Sequence, residues 1–416
     1  MKIKNKSLLL NFSGYTIINL LNALTPFIIL PLLTKNLSSK DIGVIDLFST
    51  STLFLTPIIG LCIIQSISKL YFTVSDKAAY LSVVATAVLA LGSGALVITL
   101  AVLFLTDLVP VSYEMKTIIV LVVAYVFMYL LIEGYLTLKR NEENIKQFAY
   151  LRLGKATADI ILTIVFLQYI EDYQARIFSI VLASFFTTII ILFLANKNQN
   201  ITISWDKKIL KKILLYSSPL ILHTFFNNIL NYADRYLISD FLGISSLGKY
   251  SVVYQLCMIM SLLINSFAMA WTPYFMKNMA NNPSQFKGVF NRVFKLYGIA
   301  LVVGGIILFF IMPLIYKFYV GENYLVEKSI YMAILCGYFF QGLYRFKINH
   351  LFFLEKTFSI AQLSFLSALV NITLNYFLIP KWGLFGAAFA TLISYLILYL
   401  TTEVKLVMVA KKKSLY

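Results

Sequence analysis

Residues 79–105 read AYLSVVATAVLALGSGALVITLAVLFL, twenty-seven residues without a charge. A helix of about 20 apolar residues crosses the ~30 Å hydrocarbon core of a bilayer, so this stretch predicts a transmembrane helix. Comparable stretches recur along the chain, at 8–33, 43–67, 115–137, 148–168, 176–195, 213–234, 248–270, 292–314, 328–350, 358–379 and 385–408. Across 416 residues the chain is 60% hydrophobic and 13% charged, with mean hydropathy +0.83. No soluble domain has room between the spans. The expected fold is an all-α polytopic membrane protein with twelve transmembrane helices. Lys2, Lys4 and Lys6 before the first span look like a signal-peptide start, but the apolar run is too long and lacks a small-residue cleavage site. It reads as a retained first helix.

The formal charge of +17 is distributed by loop parity. Of the 35 Lys and Arg residues, 26 fall on the side that holds both termini. The other nine are Lys35, Lys40, Lys116, Arg176, Arg235, Lys249, Lys317, Lys328 and Lys381. Basic residues accumulate in cytoplasmic loops, so both termini are expected in the cytoplasm, and twelve crossings agree with that. The same loops suit anionic lipid headgroups. A nucleic-acid binder would gather its bases on one soluble face, so no nucleic-acid partner is expected. Cys62, Cys257 and Cys336 are odd in number, lie inside spans and have no metal-ligand spacing. Phosphate-binding loops, zinc-protease pairs and serine elbows are missing from the sequence. Glu142 and Glu143 beside Lys139 and Arg140 read as a solvated loop. Neither an enzyme nor a cofactor is expected, and transport without ATP hydrolysis by this chain remains.

A shift of 205 residues brings Asn22 onto Asn227, Leu37 onto Leu242 and Gly43 onto Gly248. A weaker echo pairs Ala156, Asp159, Ile160 and Leu162 with Ala368, Asn371, Ile372 and Leu374. Six crossings per half give both halves the same orientation, which predicts two six-helix lobes related by a pseudo-two-fold axis along the membrane normal. The expected division is 1–195 for the N-terminal lobe, 196–212 for a cytoplasmic linker and 213–416 for the C-terminal lobe. A substrate cavity is expected between the lobes.

Polar side chains inside spans are costly unless they meet water, one another or a neighbouring helix. In the seventh span His223, Asn227, Asn231 and Asp234 share one helical face, and Arg235 extends it. The first span has Asn11, Tyr15, Asn19 and Asn22, with Pro26 on the same face. The fifth has Arg152, Lys155, Asp159 and Thr163, the tenth Gln341, Arg345 and Asn349, and the eleventh Ser364, Ser367, Asn371 and Asn375. Interhelical hydrogen bonding accounts for such faces equally well. Arg152, Lys155 and Lys347 lie close enough to the membrane edge to snorkel. Asp234 and Arg235 also fit a paired helix end, and His223 a packed, hydrogen-bonded position.

Several phrases carry a family resemblance: PFIILPLLTKNLSSKDIG at Pro26 to Gly43, ADRYLISDFLG from Ala233, SSLGKYSVVYQL from Ser245, AMAWTPYF from Ala268, and NITLNYFLIPKWGLFGAAFATLISY at Asn371 to Tyr395. In this order they resemble the Wzx-type O-antigen and polysaccharide flippases of the MOP superfamily, which also contains the MATE exporters. The resemblance implies translocation of an undecaprenyl-pyrophosphate-linked oligosaccharide from the inner to the outer leaflet of the bacterial inner membrane by alternating access. It also implies a cationic cavity, membrane lipids as surroundings, and a polysaccharide polymerase and chain-length regulator as partners. On that reading glycan hydroxyls meet Asn19, Asn22, Asn227, Asn231 and Gln341, and the pyrophosphate meets Arg345, Arg152, Lys155 or Arg235. Asp159, Asp234 and His223 are the candidates for a coupling ion. A MATE-type exporter of cations is the alternative, and it calls for an acidic pocket. Intramembrane base exceeds acid here, which favours an anionic substrate.

Overall fold

The computed structural model describes residues 2–105, 112–199, 202–281 and 283–413, and those residues are helical almost throughout. Fourteen α-helices follow in chain order: α1 Lys2–Asn36, α2 Ser39–Gly60, α3 Ile63–Leu70, α4 Lys77–Leu105, α5 Tyr113–Asn141, α6 Ile145–Leu167, α7 Tyr173–Gln199, α8 Lys207–Leu242, α9 Ile244–Cys257, α10 Ile259–Asn281, α11 Pro283–Ile315, α12 Lys328–Lys347, α13 Asn349–Phe353 and α14 Thr357–Lys413.

Twelve crossings are recovered once the local breaks are understood. The second predicted span is α2 and α3 in series, interrupted where Leu61 and Cys62 take positive φ of 44° and 53°. The eighth is α9 and α10, and the tenth is α12 and α13. The last two spans, both within α14, are two helices that meet at a sharp turn at Gly383 (φ 58°, ψ −139°), after Pro380. Only glycine adopts that combination at little cost. Among the described residues nine stretches are long and apolar enough to cross a membrane on composition alone, with both halves of α14 in one of them. The helix α6 falls short because it carries Arg152, Lys155 and Asp159, and α12 because Gln341 and Arg345 lower its hydropathy. The deviation from apolarity is therefore itself a pointer to the polar site.

Helix starts follow local chemistry. Ser112 accepts from the Met115 N–H (3.3 Å) and Asn144 from the Gln147 N–H (3.1 Å), satisfying first-turn donors of α5 and α6. Asp206 does the same for α8, accepting from Lys208 and Ile209.

The chain forms two compact units, Met1–Leu32 with Leu47–Phe225, and Leu33–Asp46 with Phe226–Tyr416. In the first, α5 is the hub. Its Val126, Leu130 and Leu138 pack with Ile63 and Ile67 of α3, Tyr80 and Val83 of α4, and Ile213 of α8. Its opposite face, Ile132 and Leu136, packs with Ile18 of α1, Phe148 of α6 and Ile191 of α7. Of the stretch 196–212, residues 196–199 and 202–212 group with this unit. Hydrogen bonds from the Thr202 N–H to Ser82 (3.2 Å) and the Ser204 N–H to Thr86 (3.0 Å) fasten that stretch to α4.

In the second unit Leu230, Leu351, Leu363, Ala368 and Tyr395 form one core. A ring-rich cluster joins α10, α11 and α12, with Phe267 4.2 Å from Tyr297 and Trp271 4.4 Å from Phe346 between centroids. In lipid, burying apolar groups gains little over leaving them in acyl chains, so close van der Waals packing of this kind holds the helices together. The outward face is correspondingly apolar: Val97, Phe104 and Phe310 are 64%, 84% and 72% exposed.

The tip Leu33–Asp46 is held in the second unit by backbone contact. A Cβ on Gly248 would lie 1.8 Å from the Ser39 carbonyl oxygen, and one on Gly43 2.1 Å from that of Ile244. These two glycines are the pair that the 205-residue shift superposes. Ser39 Oγ and Ser245 Oγ share a hydrogen bond of 2.5 Å, and the Tyr324 hydroxyl donates to the Leu37 carbonyl. A Ser39→Cys, Ser245→Cys pair is expected to form a disulfide under mild oxidation, and adding Gly248→Leu is expected to abolish it. Mobility on non-reducing gels checks both.

Candidate functional site

Each unit holds its own polar network. In the first, Asp159 and Thr163 stand one turn apart on α6 and face Arg176 and Ser179 of α7. The Arg176 guanidinium grips the Asp159 carboxylate with both nitrogens, at 2.5 and 3.1 Å. It also donates to Thr163 (2.8 Å) and Ser179 (3.3 Å), and the last two hydroxyls are 2.9 Å apart. Thr163 and Ser179 are fully buried. A two-pronged, charge-assisted arrangement of this type fixes orientation as well as charge.

One turn and more toward the start of α6, Arg152 forms an ion pair with Glu133 of α5. Lys155 lies between these two pairs on the helix. It is half-buried, its Nζ 5.8 Å from the centre of the Tyr125 ring. Among the described residues it has no carboxylate within ion-pair distance. Tyr125 stacks on Tyr129 at 6.1 Å and meets Phe48 at 5.9 Å, so the basic group sits against an aromatic wall. Asn19 and Asn22 are half-buried on α1 in the same unit, while the Asn11 side chain lies outside the described residues.

The second unit gathers a longer chain of polar groups from α2, α8, α9, α12 and α14. Arg235 is 4% exposed and Asp234 2%. Arg235 contacts Asp46 of α2 and Asp234, both at 3.1 Å, and donates to the Asn231 carbonyl at 3.0 Å. Its guanidinium lies 4.6 Å from the Tyr254 ring centre and 4.8 Å from that of Tyr232. The Tyr250 hydroxyl donates to Asp234 at 2.9 Å. From there the Asn231 side-chain oxygen accepts from the Tyr395 hydroxyl (2.6 Å), which accepts in turn from Gln341 (2.8 Å). Asn231 also donates to the Asn227 carbonyl (2.6 Å).

One turn beyond Gln341 on α12, Arg345 is exposed and donates to Asn265 at 2.7 Å. Among the described residues no carboxylate pairs with it. Lys347, by contrast, pairs with Glu403 at 3.0 Å. On α14, Asn375 donates to Asn371 at 2.9 Å, and both are buried.

The sequence-derived residues thus separate by environment. Asn227, Asn231, Asp234, Arg235, Gln341 and Arg345 come together in one unit, and Arg152, Lys155, Asp159, Asn19 and Asn22 belong to the other. His223 shares the α8 stripe but falls in the first unit, with an exposed side chain. Asn349 turns back to the Arg345 and Phe346 carbonyls at 3.2 and 3.1 Å and closes the break between α12 and α13. The sequence reading missed Arg176, Glu133, Asp46 as the partner of Arg235, and Tyr395. A usable signal existed for Arg176: Asp159 within a span requires a cation, and Arg176 is the first base after it.

The sequence profile of the family described as "Polysaccharide biosynthesis protein" matches residues 8–279. The chain is 21% identical over 375 residues to "Lsg locus putative protein 1" of Haemophilus influenzae, covering 86% of this chain and 88% of that one. It is 21% identical over 226 residues to a "Putative O-antigen transporter" of Shigella flexneri, covering 54% of each. Among solved structures, the lipid II flippase MurJ in an inward closed conformation is similar with TM-score 0.71 and 16% identity, over 98% of this chain and 87% of that one. An inward-facing multidrug resistance MATE family transporter of the MOP superfamily is similar with TM-score 0.73 and 14% identity, over 96% of both. At such identities the structural likeness establishes the two-lobe, twelve-helix fold. The profile match spans well over half of the sequence, and on it the chain belongs to the polysaccharide biosynthesis protein family.

Proposed function

We propose that this protein moves an undecaprenyl-pyrophosphate-linked oligosaccharide from the inner to the outer leaflet of the bacterial inner membrane by alternating access, with both termini in the cytoplasm. One observation carries the reading. Of the four basic residues expected to meet substrate, Arg152 and Arg235 are held by carboxylates, whereas Lys155 and Arg345 are held by none among the described residues.

A cation kept in a membrane-spanning helix without a counter-charge costs about 2.5–3.5 kcal/mol on insertion scales. An arriving diphosphate recovers that cost through charge-assisted hydrogen bonds. Export of an organic cation would need a free carboxylate instead, and Asp159 is closed by Arg176 while Asp46 and Asp234 both contact Arg235. Glycan hydroxyls each lose roughly 0.5–3 kcal/mol of hydration on entering an apolar phase, and Asn19, Asn22, Asn227, Asn231 and Gln341 offer replacement partners. The tail does not follow the glycan past these polar groups.

The cluster of Asp46, Asp234 and Arg235 holds one more acid than base, and this surplus is where a coupling proton or cation would be retained. Outward movement of negative charge across an inside-negative membrane is favourable by ~2.3 kcal/mol per charge per 100 mV, which assists the same direction. In a flippase-deficient strain with matching glycan chemistry, expression of the wild-type chain is expected to restore surface polysaccharide and to leave resistance to cationic dyes unchanged. Dye resistance without polysaccharide would refute the assignment.

A further inference from the structure

The first unit also contains a long apolar groove that the polar networks do not use. Its main part has a volume of about 710 Å³ and is walled by α4, α5 and α7 with Phe166 of α6. A second part, about 260 Å³, continues it toward Asn196 and Thr202. Leu89, Leu131 and Leu192 line both, so the two are contiguous. Each volume alone is at or near the range of small-molecule sites, ~300–1,000 Å³.

The main part is lined by apolar side chains apart from Thr188. Gly92 contributes to its form: a Cβ there would lie 2.0 Å from the Phe127 ring, so its absence lets that ring pack onto α4 beside the groove. Leu192 and Phe185 are each 48% exposed, which leaves the groove open along one side.

Length and charge distinguish the occupants. On α4 the lining runs from Leu81 through Ala85 and Leu89 to Leu96, one helical face extending ~22 Å at 1.5 Å per residue. A phospholipid acyl chain occupies one leaflet, about half of the ~30 Å hydrocarbon core. A groove of this length continues past the midplane and suits a longer chain.

Exposed lysines stand at the Asn196 end. Lys77 stands one turn before Leu81 on α4, and Lys197 follows Asn196, both exposed. At the other end Arg176, two residues before Phe178, is closed by Asp159, and the neighbouring Glu171 and Asp172 are acidic. An occupant therefore has a long hydrocarbon chain and an anionic head at the Lys77 and Lys197 end.

From this we infer that the groove is a holding site for the polyprenyl tail of the lipid carrier, with its diphosphate at Lys77 and Lys197, separate from the Lys155 and Arg345 positions. The inference rests on the flippase reading for the identity of the carrier. It assigns to α4, α5 and α7 the task of concentrating carrier beside the path of the glycan.

The test uses the full-length protein in phosphatidylethanolamine nanodiscs with a polyprenyl diphosphate carrying a diazirine on its chain, and maps the labelled peptides by mass spectrometry. Labelling is expected on α4 and α7, with competition by unlabelled polyprenyl phosphate but not by phosphatidylglycerol. Ala124→Trp fills the groove and is expected to remove the label. Because that variant is able to fail by misfolding, Lys77→Gln with Lys197→Gln serves as the second arm, expected to weaken labelling by about tenfold or more. Equal competition by phosphatidylglycerol would reduce the groove to an ordinary lipid contact and overturn the inference. So would labelling that avoids α4 and α7 in a protein that still restores polysaccharide, which leaves the flippase reading standing. Groove labelling in a protein that restores no polysaccharide supports the holding site and removes the flippase reading.

Discussion

Arg345→Ala is expected to abolish surface polysaccharide while the protein accumulates in the membrane at its normal level. The two halves of that result have separate causes. Arg345 is exposed and has Asn265 as its hydrogen-bonded side-chain partner, so its removal leaves no buried charge behind and little packing is lost. Hydrogen bonds between ionised partners contribute about 1.5–3 kcal/mol each, and a guanidinium offers two in parallel to a diphosphate. Losing both lowers the rate of crossing by about two orders of magnitude or more. Arg345→Lys keeps the charge without the planar fork and is expected to restore part of the activity. Immunoblots of membranes beside polysaccharide staining separate transport from abundance. Normal polysaccharide from Arg345→Ala would remove this residue from the site.

Arg235→Ala is expected to have the opposite profile, with the protein itself lost. Arg235 is buried and shared by Asp46 and Asp234, each at 3.1 Å. Removing it leaves two carboxylates close together without compensation, and breaking a buried pair by deleting one partner costs about 3–5 kcal/mol. That is a large share of the stability of an ordinary domain, roughly 5–15 kcal/mol. Neutralising the acids in the same protein, Asp46→Asn with Asp234→Asn and Arg235→Ala, is expected to recover much of the folded yield, because no unpaired charge remains. Thermal unfolding in detergent, followed by size-exclusion recovery, reads both variants. An Arg235→Ala protein as stable as wild type would show that the cluster does not hold the second unit together.

The crossings were legible in the sequence because each requires a long apolar run, and 79–105 is such a run without a single charge. Breaks inside crossings were not. Gly60 directly precedes Leu61 and Pro57 stands one turn earlier, but neither announces that Leu61 and Cys62 themselves are left-handed, and spans eleven and twelve, with 380–384 between them in the sequence, meet at a single turn at Gly383. Helical spacing placed Asn231, Asp234 and Arg235 on one face correctly, since that depends only on residue number.

Which helix supplies the partner depends on packing, and there the sequence was silent. Arg176 was counted among outer-loop charges because it stands at the first turn of α7, and only the placement of α6 beside α7 brings it to Asp159. Glu133 was hidden in the same way inside α5. The glycine pair at 43 and 248 was visible as a repeat, yet their mutual contact was not, because a repeat reports similarity and not proximity.

On the proposed reading, cations without counter-charges in the membrane receive a lipid-linked diphosphate and let its glycan cross. The most direct measurement is the crossing itself, in proteoliposomes holding a fluorescent polyprenyl-diphosphate oligosaccharide whose exposure on the outer face is read by an impermeant quencher. Wild type is predicted to equilibrate the lipid between leaflets quickly, and Arg345→Ala to do so no faster than empty vesicles. Equal rates for wild type, Arg345→Ala and protein-free vesicles, or undiminished crossing by the variant, would contradict the account.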